Sequence, residues 1–194
     1  STYRYLLRQD ELWHSMCISP LRVTLSLLFT LTFTFLAAYP LSKSADKFMG
    51  RTFLAWVFFV TMILNAGIIP SYLVVRDLGL IGSIWALVLP DSVAAFYVLV
   101  MLNFFRRLPQ DVEEAAMIDG ASQWTLLFRI VLPRSLPGLA TIAVFCSLAQ
   151  WNEWFHGIIY MDAPYQYPLM SYLQGFPARN EVGQAAQLVV AAIP

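Results

Sequence analysis

The chain has 194 residues, 59% of them apolar and only 12% charged, about half the charged share of a soluble domain. That balance excludes an ordinary water-soluble fold, because a chain this short could not bury several wholly apolar helices on every side. Twelve basic and twelve acidic residues cancel, so no net charge points to a nucleic acid or other polyanion, and the charges inform by position.

Residues 1–20 are polar and aromatic and lack the basic start, apolar core and cleavage site of a signal peptide; the natural amino terminus is expected upstream. A spanning helix needs roughly 20 mostly apolar residues, and runs of that order recur. Spans are predicted at about 22–41 and 52–73, the second inside an uncharged run from Thr52 to Val75. A third, at about 84–105, has an entrance interrupted by Pro90 and Asp91, which sets off its first part as a short turn or interfacial helix. A fourth, at about 136–160, carries one charge, Glu153. An apolar pattern at about 183–194 begins another span and stops too short to cross. The fold class predicted is all-α, a polytopic transmembrane helix bundle cut short at one or both ends.

Lys43, Lys47, Arg51, Arg106, Arg107, Arg129 and Arg134 flank two connections between spans. Arg4, Arg8, Arg22, Arg76 and Arg179 fall in the amino-terminal stretch or the opposite loops. The positive-inside rule therefore sets the connection between the first and second spans, and that between the third and fourth, in the cytoplasm. Cys17 and Cys146 lie far apart and read as packing residues, and His14 and His156 are isolated, so neither a disulfide nor a metal site is expected. A phosphate-binding loop ending in Gly-Lys-Ser or Gly-Lys-Thr is also missing, so ATP would have to bind on another chain.

The segment 108–133 is too charged to cross a bilayer and reads as two short helices. Pro109 suits a first helical turn, and Asp111 with Glu114 resembles a capping box. Gly120 fits the left-handed residue that ends a helix. Ser122 can cap a second helix, with Trp124, Leu127, Phe128 and Val131 at helical spacing, closing before Pro133 and lying along the membrane face. In the first helix the small Ala115 and Ala116, between Glu114 and Asp119, would leave backbone uncovered for close approach by another protein. An ordinary solvated loop is the competing reading.

Glu114, Ala115, Ala116, Gly120, Ile130, Leu132 and Pro133 stand at the spacing of the EAA signature, and the segment resembles that of ABC importer permeases. The wider pattern, AAMIDGASQWTLLFRIVLP followed by AQWNEW, resembles the carbohydrate-uptake permeases equivalent to the smaller maltose permease. GIIPSYLVVRDLGLIGSIWALVLP is similar to the branch for complex oligosaccharides and polysaccharides, including the alginate importer. The resemblance implies a type I ABC importer permease in the bacterial inner membrane. Its coupling helix would use Glu114, Ala115, Ala116, Asp119 and Gly120 against a cleft on the ATPase. It also implies two ATPase subunits that hold ATP and magnesium, a second and different permease subunit, a solute-binding protein outside the membrane, and no cofactor on this chain.

Polar groups within spans suggest function by default. Asn65, Trp151, Asn152 and Glu153 are the candidates for a sugar pathway, with Gln150 and Trp154 beside them and Asn103 and Asp91 at the water boundary. Against this stand an aromatic belt for Trp151 and Trp154 and a helix-to-helix hydrogen bond for Glu153. The loop 162–182, predicted outside the membrane, offers Tyr165, Gln166 and Tyr167 to a binding protein or its sugar, or is a plain connection. Two other classes stay open: an ion-coupled transporter or channel using Asp91 and Glu153, and a membrane enzyme using Glu153 and Asp162.

Overall fold

The computed structural model describes residues 10–43, 48–64, 66–108 and 110–175; among them every regular element is helical. The helices are α1 (Asp10–Ser42), α2 (Arg51–Ile63), α3 (Ile68–Asp77), α4 (Ile84–Val88), α5 (Ala95–Arg106), α6 (Gln110–Ile118), α7 (Gln123–Asn152) and α8 (Phe155–Tyr160). A 3-10 turn at Pro164–Gln166 and helical residues 169–175 follow. Asn65, the expected span start at 183–194 and the last part of the loop 162–182 lie outside the described residues.

Within the described residues, α1 and α7 are long and apolar enough to cross a bilayer. At a rise of 1.5 Å per residue, the 32 residues from Glu11 to Ser42 extend about 48 Å, more than a hydrocarbon layer of roughly 30 Å.

Several boundaries differ from those read in the sequence. The first helix starts at Asp10, not near 22, which places Arg22 inside it rather than at the end of an amino-terminal stretch. The run 52–73 is shared by two helices, because the chain breaks before Gly67, whose φ of 79° and ψ of −177° suit only glycine. The third predicted span is split at Pro90 into α4 and α5, as its interrupted entrance suggested. The fourth ends at Asn152, with α8 a separate short helix.

The helix that begins after Ser122 does not close before Pro133. Its stretch Leu126–Val131 is π-helical, and the N–H of Leu132 bonds to the carbonyl of Leu127, five residues back. The ladder has therefore slipped one register where Pro133, lacking an N–H, would interrupt an α-helical one, and the helix continues to Asn152.

Along one stripe α1 buries polar residues, and it exposes several apolar ones. Ser15, Ser19, Arg22, Ser26, Thr30 and Thr34 recur every three or four residues and are all buried, whereas Trp13, Met16, Leu21, Leu28 and Phe33 are exposed. Small hydroxyl residues allow helices to approach closely, and the apolar residues suit a hydrocarbon surround.

The described residues form two compact units. One takes in the chain up to Ser26, Gly67–Pro90 and the chain from Leu148; the other, Leu27–Ala66 and Asp91–Ser147. In the second unit Phe35, Ala38 and Leu41 of α1, Val98, Met101, Leu102 and Phe105 of α5, and Leu126, Leu127, Val131, Leu139 and Ile142 of α7 make one apolar core. In the first unit a smaller core joins Val75, Ala86, Leu87, Tyr160 and Met161.

α7 meets α5 at Gly138, where an added Cβ would sit 2.8–3.0 Å from the Phe104 ring. Gly138→Val in the full-length protein is expected to destabilise it by about 1–3 kcal/mol through overpacking, read as a lower thermal midpoint in detergent. Phe104→Leu in the same background should recover part of the loss.

Candidate functional site

The exposed turn at the end of α6 belongs to the second unit. Asp111 lies inside the helix, so the expected capping box does not form in that register; Asp111 and Glu113 instead occupy the first turn, where the positive helix end favours acids. At the other end the N–H of Ala121 bonds to the carbonyl of Ala116 at 2.9 Å and that of Gly120 to Met117 at 3.1 Å. Gly120 has φ 82°. These are the two bonds of a Schellman closure, with glycine in its left-handed position. Two residues later the Ser122 hydroxyl accepts the Thr125 N–H at 3.2 Å and caps α7. The turn is thus fixed from both sides by local hydrogen bonds.

This closure presents Glu114, Ala115, Ile118, Asp119 and Gly120 on the surface, Ile118 at 86% exposure. The alanine pair is divided: Ala115 is exposed, whereas Ala116 is partly buried against the apolar core of its own unit. The uncovered small face read from the sequence is accordingly one alanine wide. Beyond the turn, Trp124 and Phe128 stack at 5.9 Å and are both exposed, opposite the buried Leu127 and Val131.

The polar group around Glu153 lies in the first unit. Arg22 is fully buried; it donates from Nη2 to Glu153 Oε2 at 2.8 Å and from Nη1 to the Glu153 carbonyl at 3.1 Å. Glu153 Oε1 accepts the His156 N–H at 2.9 Å and so caps the start of α8. Glu153 sits in the break between α7 and α8, so its bond runs from that break to α1 and not between two helices, and its partner, 131 positions away, had no local signal in the sequence. Asn152 is exposed and bonds back to the Leu148 carbonyl at 2.8 Å. Trp151 and Trp154 are exposed to the same extent. Gln150 is buried. In the second unit Asn103 bonds within its own helix to Leu99.

Of the loop residues, Tyr165 is exposed, Gln166 closes the 3-10 turn, and Tyr167 packs against the core around Tyr160. The loop is more ordered than expected, since residues 169–175 are helical. Ser19 accepts the Leu169 N–H at 2.7 Å and Ser171 donates to the Trp154 carbonyl at 2.6 Å. Among the described residues no cluster of metal-ligating side chains occurs.

Residues 15–194 match the family described as binding-protein-dependent transport system inner membrane component. The chain belongs to that family. This permease-family chain is 38% identical over 172 residues to Protein LplC of Bacillus subtilis, covering 89% of the chain and 58% of LplC. It is 33% identical to the polygalacturonan/rhamnogalacturonan transport system permease protein YtcP of the same organism, covering 99% of the chain and 73% of YtcP. The crystal structure of a bacterial ABC transporter involved in the import of the acidic polysaccharide alginate matches with a TM-score of 0.84 and 32% identity, over 90% of this chain and 61% of that one. The chain thus spans about three fifths of LplC and of the alginate-transporter chain.

The Arg22–Glu153 pair gives a stability test. Glu153→Ala would strand a buried guanidinium, and its removal is expected to cost about 3 kcal/mol, seen as a loss of monodisperse full-length protein in detergent. Glu153→Gln, which keeps an acceptor, should lose less, and Arg22→Met combined with Glu153→Met should recover much of the loss.

Proposed function

We propose that the chain is the membrane-embedded permease subunit of an ATP-driven importer for an oligo- or polysaccharide. The observation that carries this reading is the exposed surface of Glu114, Ala115, Asp119 and Gly120, set on a turn closed by a Schellman motif and a serine cap in a chain of this permease family. Such a surface suits insertion into a cleft of a separate ATPase, with Glu114 offering its carboxylate to a basic or polar group there. Two ATPase subunits would supply ATP and magnesium, a second, different permease subunit would complete the pathway, and a solute-binding protein would deliver the sugar. The polysaccharide transport named for YtcP and for the alginate transporter supports the substrate class. A bacterial inner-membrane, multi-pass location follows from the same reading, supported by the family and by the lengths of α1 and α7.

Within this proposal the exposed Trp151 and Asn152 are the candidates to meet sugar, the ring by stacking and the amide by hydrogen bonding, and exposed Tyr165 is the candidate to touch the binding protein. Glu153 is assigned to holding Arg22 and α8 instead. That commitment also weakens an ion-coupled reading in which Glu153 would carry a proton or cation.

In proteoliposomes holding the full-length protein and its partner subunits, uptake of labelled oligosaccharide should follow ATP and persist when ion gradients are collapsed. Uptake that follows the gradient and ignores ATP would overturn the proposal. Glu114→Ala should weaken retention of the ATPase about tenfold in co-purification while leaving the amount of permease in the membrane unchanged.

A further inference from the structure

Among the attachments that hold α6 to its unit, two of different kinds lead to the long helices. At its end the chain turns through Gly120 and Ser122 into α7, and α6 packs against the π-helical stretch of that helix. Near its start Glu113 Oε2 pairs with Lys43 Nζ. Lys43 directly follows the last residue of α1. The two helices so reached are the two long apolar ones.

The pair is built into its surroundings. The Lys43 and Glu113 side chains are 21% and 17% exposed, which removes much of the water that makes open ion pairs nearly worthless. Lys43 Nζ also lies 4.3 Å from the centre of the Tyr39 ring, a cation–π contact. Tyr39 stands edge-on to Phe105 at 5.9 Å, and Phe105 edge-on to Phe35 at 5.6 Å. A continuous line of contacts therefore runs from α6 through Glu113, Lys43 and Tyr39 into the core formed by α1 and α5. Each partner also sits where its helix dipole favours it, the cation past the carboxyl end of α1 and the acid in the first turn of α6.

We propose that the Lys43–Glu113 pair is the strut by which displacement of α6 is delivered to α1. It makes Lys43 and Glu113 positioning residues that act through the helix and not by touching the ATPase. The inference rests on the proposed role of α6 as the coupling helix. Chain continuity already moves α7 with α6, whereas the side-chain link from α6 to the end of α1 is this ion pair, beside the packing of Ala116 into the shared core. A permease that lacks the strut should still bind its ATPase through Glu114 and Ala115, yet convert hydrolysis into transport poorly.

The test uses the complete transporter with full-length permease in proteoliposomes, comparing Lys43→Met, Lys43→Glu, Glu113→Lys and the exchange Lys43→Glu with Glu113→Lys. Co-purified ATPase, ATP hydrolysis and sugar uptake are measured on the same preparations. The single variants are expected to retain ATPase while sugar moved per ATP falls about fivefold or more, and the exchange is expected to restore much of that ratio. An unchanged ratio in assembled single variants overturns the strut, as does an exchange that restores assembly but not the ratio. If the unaltered permease binds no ATPase, the coupling reading itself falls, a result separable from normal binding with unaltered coupling.

Discussion

Polar side chains are costly against hydrocarbon, and this chain turns a stripe of them on α1 towards its own interior. α1 shows it most plainly: Ser15, Ser19, Arg22, Ser26, Thr30 and Thr34 are buried while Trp13, Met16, Leu21, Leu28 and Phe33 face out. The inversion lets helices approach at small side chains and leaves apolar ones for the surround. The same need explains why Arg22 must meet Glu153 rather than water, and why Asn103, Asn152, Thr141 and Ser147 turn back onto carbonyls of their own helices.

Where the helices stop, a local chemical cause is at hand in most cases. Gly67 and Gly120 supply conformations other residues avoid, Ser122 offers a cap, and the stretch around Pro90 separates α4 from α5. Glu153 both ends one helix and starts the next, since its carboxylate caps α8 while its carbonyl accepts from Arg22. A residue bound on two sides in this way is poorly suited to picking up and releasing cargo. The exposed aromatics beside it are under no such restriction.

Much of this was legible from residues alone, and the division is physical. Local signals carried through: Gly120 takes the left-handed turn, Ser122 caps, Pro90 interrupts, and the helical class follows from uncharged runs of spanning length. Features that depend on partners distant in sequence did not. Arg22 reads as a cation bordering the first span until Glu153 is placed beside it, and Lys43 reads as part of a basic connection until Glu113 is found against it. Burial likewise separated Ala115 from Ala116, which composition could only treat as a pair. Pro133 misled for a subtler reason: a proline ends an α-helix, but a π-turn just ahead had already changed the register that the proline would have broken.

That wide turn also fixes an azimuth. A π-turn amounts to about one residue inserted into an α-helix, and one residue is about 100° of rotation about the axis. The exposed Trp124 on one side of it and the buried Leu139 and Ile142 on the other are therefore set at a relative phase that an unbroken α-helix of the same sequence would not give. The direction in which the α6 turn leaves α7 is thus set by the backbone pitch of Leu126–Val131, six residues whose side chains carry only one charge.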